Sequence, residues 1–386
     1  RRAGYANSIG EFPAMTAAAQ MAIERGQAAG HAGHRVEGHL RWGWALADQG
    51  DYAGARAKFQ EARAVAQAAG LRNFEAGALT GLGILRTQQS DQAEALRFLE
   101  EALRLYRQTG DRKNEIHLLN YINISIWQLG DYGRAWICFV QALCLAREIG
   151  SRMEETVALW NLGMLFSLLG ELTRARGYYE QALGAARETE DRFWESVVLM
   201  YLGGMARRLA DQAGAREYGE QAVGIARELG SQAIEGRVLY SLGHLYQDLG
   251  ERDTALGCYE QALRLFRHTG ASRSCAMGSL AGLAWAALTE NDVTQAQAYV
   301  AEILAYLEGG GNLDNDSRPF WIYLTCYQVL RAGDDPRASA ILAAAHRLLH
   351  EQAAGIPDEA LRHSFLENVA ENREIVAAFR RSQPPQ

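Results

Sequence analysis

Apolar residues recur at helical spacing in pairs of segments along this chain, and the whole pattern returns every 40 residues. In the stretch 151–190, Leu159 and Phe166 belong to one apolar face of a first helix. Gly170 is predicted to end that helix, because glycine reaches the left-handed conformation without a Cβ penalty. A second helix follows, and one of its faces carries Ala175, Tyr179 and Ala182. Each unit of the pattern therefore predicts a pair of packed helices.

The pattern keeps its register over six successive units. The turn inside each pair is predicted at Gly50, Ser90, Gly130, Gly170, Ala210 and Gly250. The breaks between pairs are predicted at Gly30, Gly70, Gly110, Gly150, Gly230 and Gly270, with Glu190 in the place of one glycine. A small residue recurs in the first helix at Gly43, Gly83, Gly163, Gly203 and Gly243. Small residues let two helices approach closely, and an aromatic side chain then fills the space between them. Helix pairs at a fixed period predict a solenoid.

Two stretches resemble the tetratricopeptide repeat. One carries Asn161-Leu162-Gly163, Phe166, Gly170-Glu171, Ala175, Tyr179 and Ala182, and the other carries Ser241-Leu242-Gly243-His244-Leu245-Tyr246, Gly250, Ala255, Tyr259 and Ala262. The chain departs from the family in its period of 40 residues, where about 34 is usual, and in having no proline that closes the second helix. Repeats of this length resemble the sensor arrays of STAND signalling ATPases, the group of the maltotriose-responsive regulator, and also those of spindle-orientation scaffolds and the kinesin light chain. The resemblance implies an all-α, right-handed α-solenoid whose inner wall is lined by the first helix of each pair.

The repeat pattern predicts five segments. They are a partial N-terminal repeat at 1–30, seven repeats at 31–307, a Gly-rich linker at 308–318, a divergent eighth repeat at 319–355, and capping helices with a tail at 356–386. Solenoids need such a cap to cover the last apolar repeat face. Asp316 or Ser317 is expected to cap the helix that Pro319 opens. Because the chain starts with Arg1 part-way through a repeat, we expect it to belong to a longer polypeptide with an N-terminal output region.

Composition excludes several classes of function. The 39 basic and 46 acidic residues give a net charge of −7, which argues against binding to a phosphate backbone. No apolar run is long enough to span a membrane. The five cysteines lack Cys-x-x-Cys spacing and no secretion signal is present, so we expect free thiols buried between helices of a cytoplasmic protein. His346 and His350 lie one turn apart but lack a third metal ligand. With no catalytic motif, the sequence predicts neither an enzyme nor a cofactor or metal site.

Residues that are not used in packing between repeats are expected to face a shared concave groove. This face of the first helices is rich in aromatic residues and methionine with a few polar groups, as ligand sites and binding hot spots are. The predicted ligand- or partner-binding groove consists of Trp44, Tyr121, Trp127, Trp160, Asn161, Met164, Met200, Tyr201, Arg207, Arg208, Tyr240, His244 and Trp285. The alternative is that these aromatic residues pack between neighbouring repeats. Arg207 and Arg208 either hold a ligand carboxylate or phosphate, or form a solvated helix end.

Two functional hypotheses follow. The first is the ligand- or protein-sensing domain of a larger bacterial STAND-type ATPase that regulates transcription, with an inducer (small molecule, peptide or protein) in the groove and an intramolecular contact to an N-terminal nucleotide-binding region. The second is a constitutive scaffold that binds a partner peptide or helix in the same groove. An upstream nucleotide-binding module favours the first hypothesis, and further repeats favour the second. Neither hypothesis involves direct contact with nucleic acid or a membrane.

Overall fold

The computed structural model describes residues 12–89, 91–128, 131–269, 273–313, 316 and 318–382. These ranges fold into α-helices joined by short turns, and they contain no strand. The helices are α1 (Phe12–Ala28), α2 (Ala32–Asp48), α3 (Tyr52–Ala68), α4 (Arg72–Gln88), α5 (Gln92–Thr109), α6 (Arg112–Gln128), α7 (Tyr132–Glu148), α8 (Arg152–Leu168), α9 (Leu172–Glu188), α10 (Arg192–Arg208), α11 (Gln212–Glu228), α12 (Gln232–Asp248), α13 (Arg252–Thr269), α14 (Arg273–Thr289), α15 (Val293–Glu308), α16 (Pro319–Ala332), α17 (Arg337–Ala354), α18 (Glu359–Glu367) and α19 (Ala370–Ser382). In the described part of the chain, no helix combines the length and the apolarity required to cross a membrane.

The chain forms two compact units, unit 1 (Arg1–Glu154) and unit 2 (Glu155–Gln386). The boundary falls in the first turn of α8. In unit 1 each helix packs on the next one from α1 to α7, and in unit 2 the same holds from α9 to α17. Helices two apart, such as α2 with α4 and α10 with α12, also touch. Packing on near neighbours in sequence is the arrangement expected of stacked helix pairs.

Left-handed residues punctuate the helices where the sequence pattern predicts turns. Gly170 has a φ of 80°, in the region where a side chain costs free energy. Two of the three exceptions to glycine in the pattern also occupy this region, since Glu190 has a φ of 53° and Ala210 a φ of 61°. Ser90, Gly130 and Gly270 lie outside the described residues. The predicted cadence of turns is therefore confirmed even at positions that tolerate the left-handed conformation poorly.

In the pairs with Gly43, Gly163 and Gly243, the seam between the helices consists of a ring on a glycine, as the sequence predicts, whereas Gly83 meets Leu99 and Gly203 meets the backbone of α11. A Cβ atom built on Gly243 would lie 2.5 Å from the ring of Tyr259, and one on Gly282 of the following pair would lie 2.6 Å from it. Phe59 is clamped in the same way between Gly43 and Gly81. Because such distances leave no room for a methyl group, these glycines set how closely the helices approach.

The cysteines depart from the sequence expectation. Three thiols are buried, those of Cys258, Cys275 and Cys326, but Cys138 is half-buried and Cys144 is exposed. The expectation that every thiol lies in a helix seam is therefore wrong for Cys144, whose helix α7 presents that position to solvent. All five are free thiols.

The C-terminal helices of unit 2 contact more than the preceding pair. Helix α19 packs on α16, α17 and α18. In addition, α18 and the turn after it lie against the turn between α8 and α9, where a Cβ on Gly170 would lie 2.9 Å from the Ser364 carbonyl oxygen and 3.1 Å from Cβ of Asn368. The segment from Ser364 to Glu371 therefore reaches back to the start of unit 2.

Candidate functional site

Three residues of the predicted groove belong to unit 1. Trp44 packs edge-on against Phe59, with ring centroids 5.0 Å apart, and so joins the seam of its own repeat. Tyr121 is half-buried and engaged with neighbouring groups. The side chain of Trp127 lies outside the described residues. The two predicted residues of unit 1 whose side chains are described, Trp44 and Tyr121, therefore do not form a cluster with each other.

Unit 2 brings an aromatic cluster together around Tyr201. Its ring stacks on Tyr179 at 5.5 Å and meets Trp160 edge-on at the same centroid distance. Trp160 in turn contacts Trp194 at 5.2 Å. In the repeat pattern, position 201 corresponds to Gly81, which only leaves room for a ring elsewhere. Tyr201 therefore puts an aromatic side chain at a position where an earlier repeat has glycine, Gly81.

The other predicted residues of unit 2 divide by burial. Four are buried, namely Asn161, Met200, Tyr240 and His244, and two are half-buried, namely Met164 and Trp285. The buried side chains fit the alternative of packing between repeats, whereas the half-buried ones keep part of their surface open to a ligand. Their role in binding a ligand stays a prediction.

Arginines of unit 2 converge on the inner ends of the first helices. Arg207 pairs with Asp248 at the end of α12. Arg208 donates from Nη1 to the carbonyl oxygen of Ser167, at 3.1 Å, and to its hydroxyl, at 2.9 Å. Arg318, just before α16, donates to both carboxylate oxygens of Glu371, at 3.2 and 3.5 Å. Three first helices and the C-terminal cap therefore share one cationic cluster.

Glu371 stays ionised in this cluster. Burial by itself would raise the pKa of its carboxyl, but the charge and hydrogen bonds of Arg318 outweigh that effect, with a smaller contribution from Arg208. The pKa of Glu371 is therefore lowered to about 2. The arginine cluster is thus a place where a carboxylate is held in its charged form.

His244 connects the cluster to the seam of its repeat. Its Nδ1 lies 3.3 Å from Nη1 of Arg318 and 3.0 Å from the hydroxyl oxygen of Tyr259, whose proton is donated to Gln247 at 2.8 Å. Burial, reinforced by the positive charges of Arg318 and Arg207, lowers the pKa of His244 well below its ordinary value. Since a guanidinium group only donates, the neutral imidazole accepts at Nδ1 and carries its proton on Nε2.

Asp316 carries a buried carboxyl group that lies between Tyr240 of α12 and Arg318. Its Oδ1 accepts from the hydroxyl of Tyr240, at 3.3 Å, and from the amide of Arg318, at 2.8 Å. The expectation that Asp316 caps α16 is wrong, because Arg318 occupies the N-cap position and no described side chain caps that helix end. Ser317, the other residue expected there, lies outside the described residues. Burial raises the pKa of Asp316 to about 6, although the Arg318 amide, Tyr240 and the nearby arginine charges oppose this.

Asp316→Asn is expected to stabilise unit 2 at pH 7.5 and to change little at pH 4. The folded protein binds the Asp316 proton with a pKa of about 6 and the unfolded chain with a pKa near 3.8, so native stability gains as pH falls from 6 to 4. Asparagine resembles the protonated carboxyl group but does not titrate, so the variant keeps this stability at pH 7.5 and lacks the pH dependence. The difference from wild type is at most about 3 kcal/mol by linkage. Urea unfolding at the two pH values measures the difference. An Asp316→Asn variant that keeps the wild-type pH slope between 4 and 6 would contradict the assignment.

Sequence reasoning did not indicate several residues that complete the cluster. Arg318 and Glu371 lie in the segments after the last regular repeat, where no periodic position assigns a direction to a side chain. Trp194 lies in the first turn of α10, before the part of the helix from which the groove was predicted. An aromatic residue so early in a first helix is the one signal that was available for it.

Other sites considered in the sequence show different arrangements. His346 and His350 have ring centroids 4.3 Å apart, and His346 stacks on Phe379 at 3.9 Å. Within the described ranges, no group of three or more His, Cys, Asp and Glu side chains has the geometry to hold a metal ion. His117, close in phase to the predicted groove, pairs with Glu154 at 3.2 Å.

Family models described as "Tetratricopeptide repeat" match three stretches of the sequence, 38–108 and 154–228 with one model and 238–268 with another. This chain carries tetratricopeptide repeats. These matches, together with the helix pairs of the described structure, confirm the predicted fold class, an all-α solenoid of tetratricopeptide-like pairs. No curated protein sequence matches the chain closely enough to count as a relative.

Several solved structures have a similar fold. The apo form of the quorum sensor NprR from B. thuringiensis has a TM-score of 0.60 at 13% identity, over 88% of this chain and 96% of that chain. A Rap protein complexed with Competence and Sporulation Factor has a TM-score of 0.54 at 15% identity, over 96% and 97%. A STAND protein with a tetratricopeptide repeat sensor from Pyrococcus horikoshii has a TM-score of 0.53 at 14% identity, over 82% of this chain but only 52% of that protein. At these identities the likeness establishes the fold.

Proposed function

We propose that this tetratricopeptide-repeat chain is the sensor domain of a larger bacterial signalling protein of the STAND type, and that unit 2 binds its inducer. The observation that carries the proposal is the cluster on the first helices of unit 2, in which aromatic rings and guanidinium groups converge. Apolar surface with a few convergent polar groups is the usual composition of a ligand site. Trp, Tyr and Arg are also the residues that dominate binding energies.

The similar structures support the proposal by their own descriptions. One is a quorum sensor, one is a Rap protein complexed with Competence and Sporulation Factor, and one is a STAND protein with a tetratricopeptide repeat sensor. A sensor of this kind works when its ligand prefers one of two conformations and so shifts their populations. The contact of the C-terminal segment with the Gly170 turn is one element of unit 2 that such a shift would change.

The test is a titration of a panel of short peptides and small metabolites against the protein, followed by its Trp160→Ala and Tyr201→Ala variants. For the ligand that binds, we expect each variant to weaken affinity at least tenfold, which is about 1.4 kcal/mol and typical of a binding hot spot. The matched control is Trp136→Ala in unit 1, because that indole is 43% exposed and lies outside the cluster. Wild-type affinity in both cluster variants, with circular dichroism confirming that they fold, would rule out this site.

A constitutive scaffold predicts a different outcome from the same titration. A scaffold would bind one folded or helical partner without any change in amide exchange of α18 and α19. A sensor ligand would change that exchange, because its binding energy differs between the two conformations.

A further inference from the structure

Arg208 is a cation without a carboxylate partner in the described part of the chain. Its hydrogen bonds go to the Ser167 carbonyl and hydroxyl oxygens, which are both neutral. Burial lowers the pKa of Arg208 to about 10; the charge of Glu371 opposes that shift, while Arg318 and Arg207 add to it. Taking a guanidinium out of water is costly unless an anion accompanies it. The position is therefore suited to a negatively charged group.

The charges around Arg208 do not balance. Arg207, Arg208 and Arg318 contribute three positive charges, whereas Asp248 and Glu371 contribute two negative ones. Asp248 is 47% exposed at its side chain, so water screens much of its effect, whereas the Glu371 side chain is only 13% exposed. An excess of guanidinium groups in a half-buried site favours planar anions such as carboxylates, which accept paired hydrogen bonds.

Two donors of the aromatic cluster around Tyr201 have no hydrogen-bond partner. Tyr179 has no solvent exposure, and its hydroxyl has no hydrogen-bond partner. This hydroxyl lies close enough to Arg208 for the guanidinium charge to lower its pKa, against the larger effect of burial. The indole Nε1 of Trp160 is likewise buried without a partner. Both rings pack on Tyr201. Buried donors are nearly always paired in proteins, so the unpaired Tyr179 hydroxyl beside a cation that lacks a carboxylate points to an acceptor that binds there.

The equivalent tyrosine two repeats further along shows that this is no general feature of the repeat. Tyr259 occupies the same position as Tyr179, 80 residues later in the pattern, and its hydroxyl contacts both Gln247 and His244. At Tyr179 the corresponding partners are missing, while the ring is equally buried. The repeat of Tyr179 therefore has an unpaired buried hydroxyl, whereas the hydroxyl of Tyr259 is paired.

We propose that Arg208 and Tyr179 bind a carboxylate group of a peptide ligand, and that Glu371 of the C-terminal cap is the internal carboxylate with which that ligand competes. The inference rests on the proposed function, for which it names the ligand class and the mode of release. Glu371 is already held by Arg318 within the same cluster. Its segment also covers the Gly170 turn, which lies directly after the Ser167 partner of Arg208. A ligand carboxylate at Arg208 competes with Glu371 for positive charge and loosens α18 and α19.

The test uses the full chain with the probe peptide Ac-Gly-Glu-Gly-NH2, its Gln counterpart and inorganic phosphate, with binding followed by calorimetry. Tyr179→Phe is expected to weaken binding of the glutamate peptide about tenfold, because a hydrogen bond to a charged group is lost. Its fold is expected to survive, since the hydroxyl has no partner to lose. Glu371→Gln is expected to tighten binding about tenfold by removing the competitor. Amide exchange in α18 and α19 should rise when the peptide binds.

Two controls match these variants. Tyr259→Phe changes the equivalent ring and should leave affinity for the peptide unchanged, although it loses the hydrogen bond to Gln247. Glu374→Gln removes a carboxylate of the same helix that pairs with Arg381 on the surface, and it should also leave affinity unchanged. The inference is overturned if the Gln peptide or phosphate binds as well as the glutamate peptide, or if Tyr179→Phe and Glu371→Gln keep wild-type affinity. An inducer from the panel that depends on Tyr201 but not on Tyr179 or Glu371 would overturn this inference and leave the sensor function standing.

Discussion

Gly243→Ala is expected to lower the free energy of unfolding of unit 2 by about 2–3 kcal/mol, which is the upper range for overpacking a well-filled core. The added methyl group would lie 2.5 Å from the ring of Tyr259. That ring has no solvent exposure and lies against Gly282 on its other side, at 2.6 Å from a Cβ built there. Its hydroxyl donates to Gln247 and lies 3.0 Å from Nδ1 of His244. The ring therefore cannot shift away from an added methyl group without losing these contacts.

The matched control for this substitution is Gly257→Ala in α13, the helix that carries Tyr259. A Cβ at Gly257 meets no atom within 4 Å. The control is therefore expected to raise stability by about 0.5–1 kcal/mol, because alanine favours a helix interior over glycine. Urea unfolding followed by circular dichroism measures both variants. If the two substitutions shifted stability in the same direction, close helix approach would not be what Gly243 provides.

Arg318→Met is expected to cost unit 2 about 2–3 kcal/mol at pH 7, somewhat less than the loss usual for a fully buried ion pair. The substitution leaves the Glu371 carboxylate without its main partner, and it removes the guanidinium that lies over the Trp321 ring. Side-chain exposures of 21% for Arg318 and 13% for Glu371 place the pair mostly out of water. Adding Glu371→Gln to Arg318→Met should restore part of the loss, because the uncompensated charge disappears.

Acid titration distinguishes this ion pair from simple packing by Arg318. The pKa of Glu371 is about 2 in the folded protein against an ordinary value of 4.5, so its contribution is complete above pH 4.5 and is lost as pH falls towards 2. Wild type and Arg318→Met should therefore converge in stability over that interval. Arg381→Met is the control, since its pair with Glu374 is exposed and is worth at most about 1 kcal/mol. Curves that stay parallel down to pH 2 would show that the charge of Glu371 contributes nothing.

The sequence was sufficient to predict the helix pairs, because their causes are local and repeated. A ring on a glycine recurs at several seams, with Gly243 and Tyr259 as one instance, and a left-handed residue recurs at the described turns every 40 residues. The period therefore located even the exceptional turns at Glu190 and Ala210. The same phase argument selected Trp160, Tyr201 and the arginines at the end of α10 as a set.

What the sequence alone did not decide is which of those side chains meet, and what else joins them. Arg318 and Glu371 follow the regular repeats, and contacts such as Glu371 with the arginine cluster join positions far apart in the chain. Such contacts depend on how the chain returns over its own helices, which no helical period encodes. Burial then decides the chemistry, because a carboxyl group like Asp316 or Glu371 acquires its charge state from the groups that folding places around it.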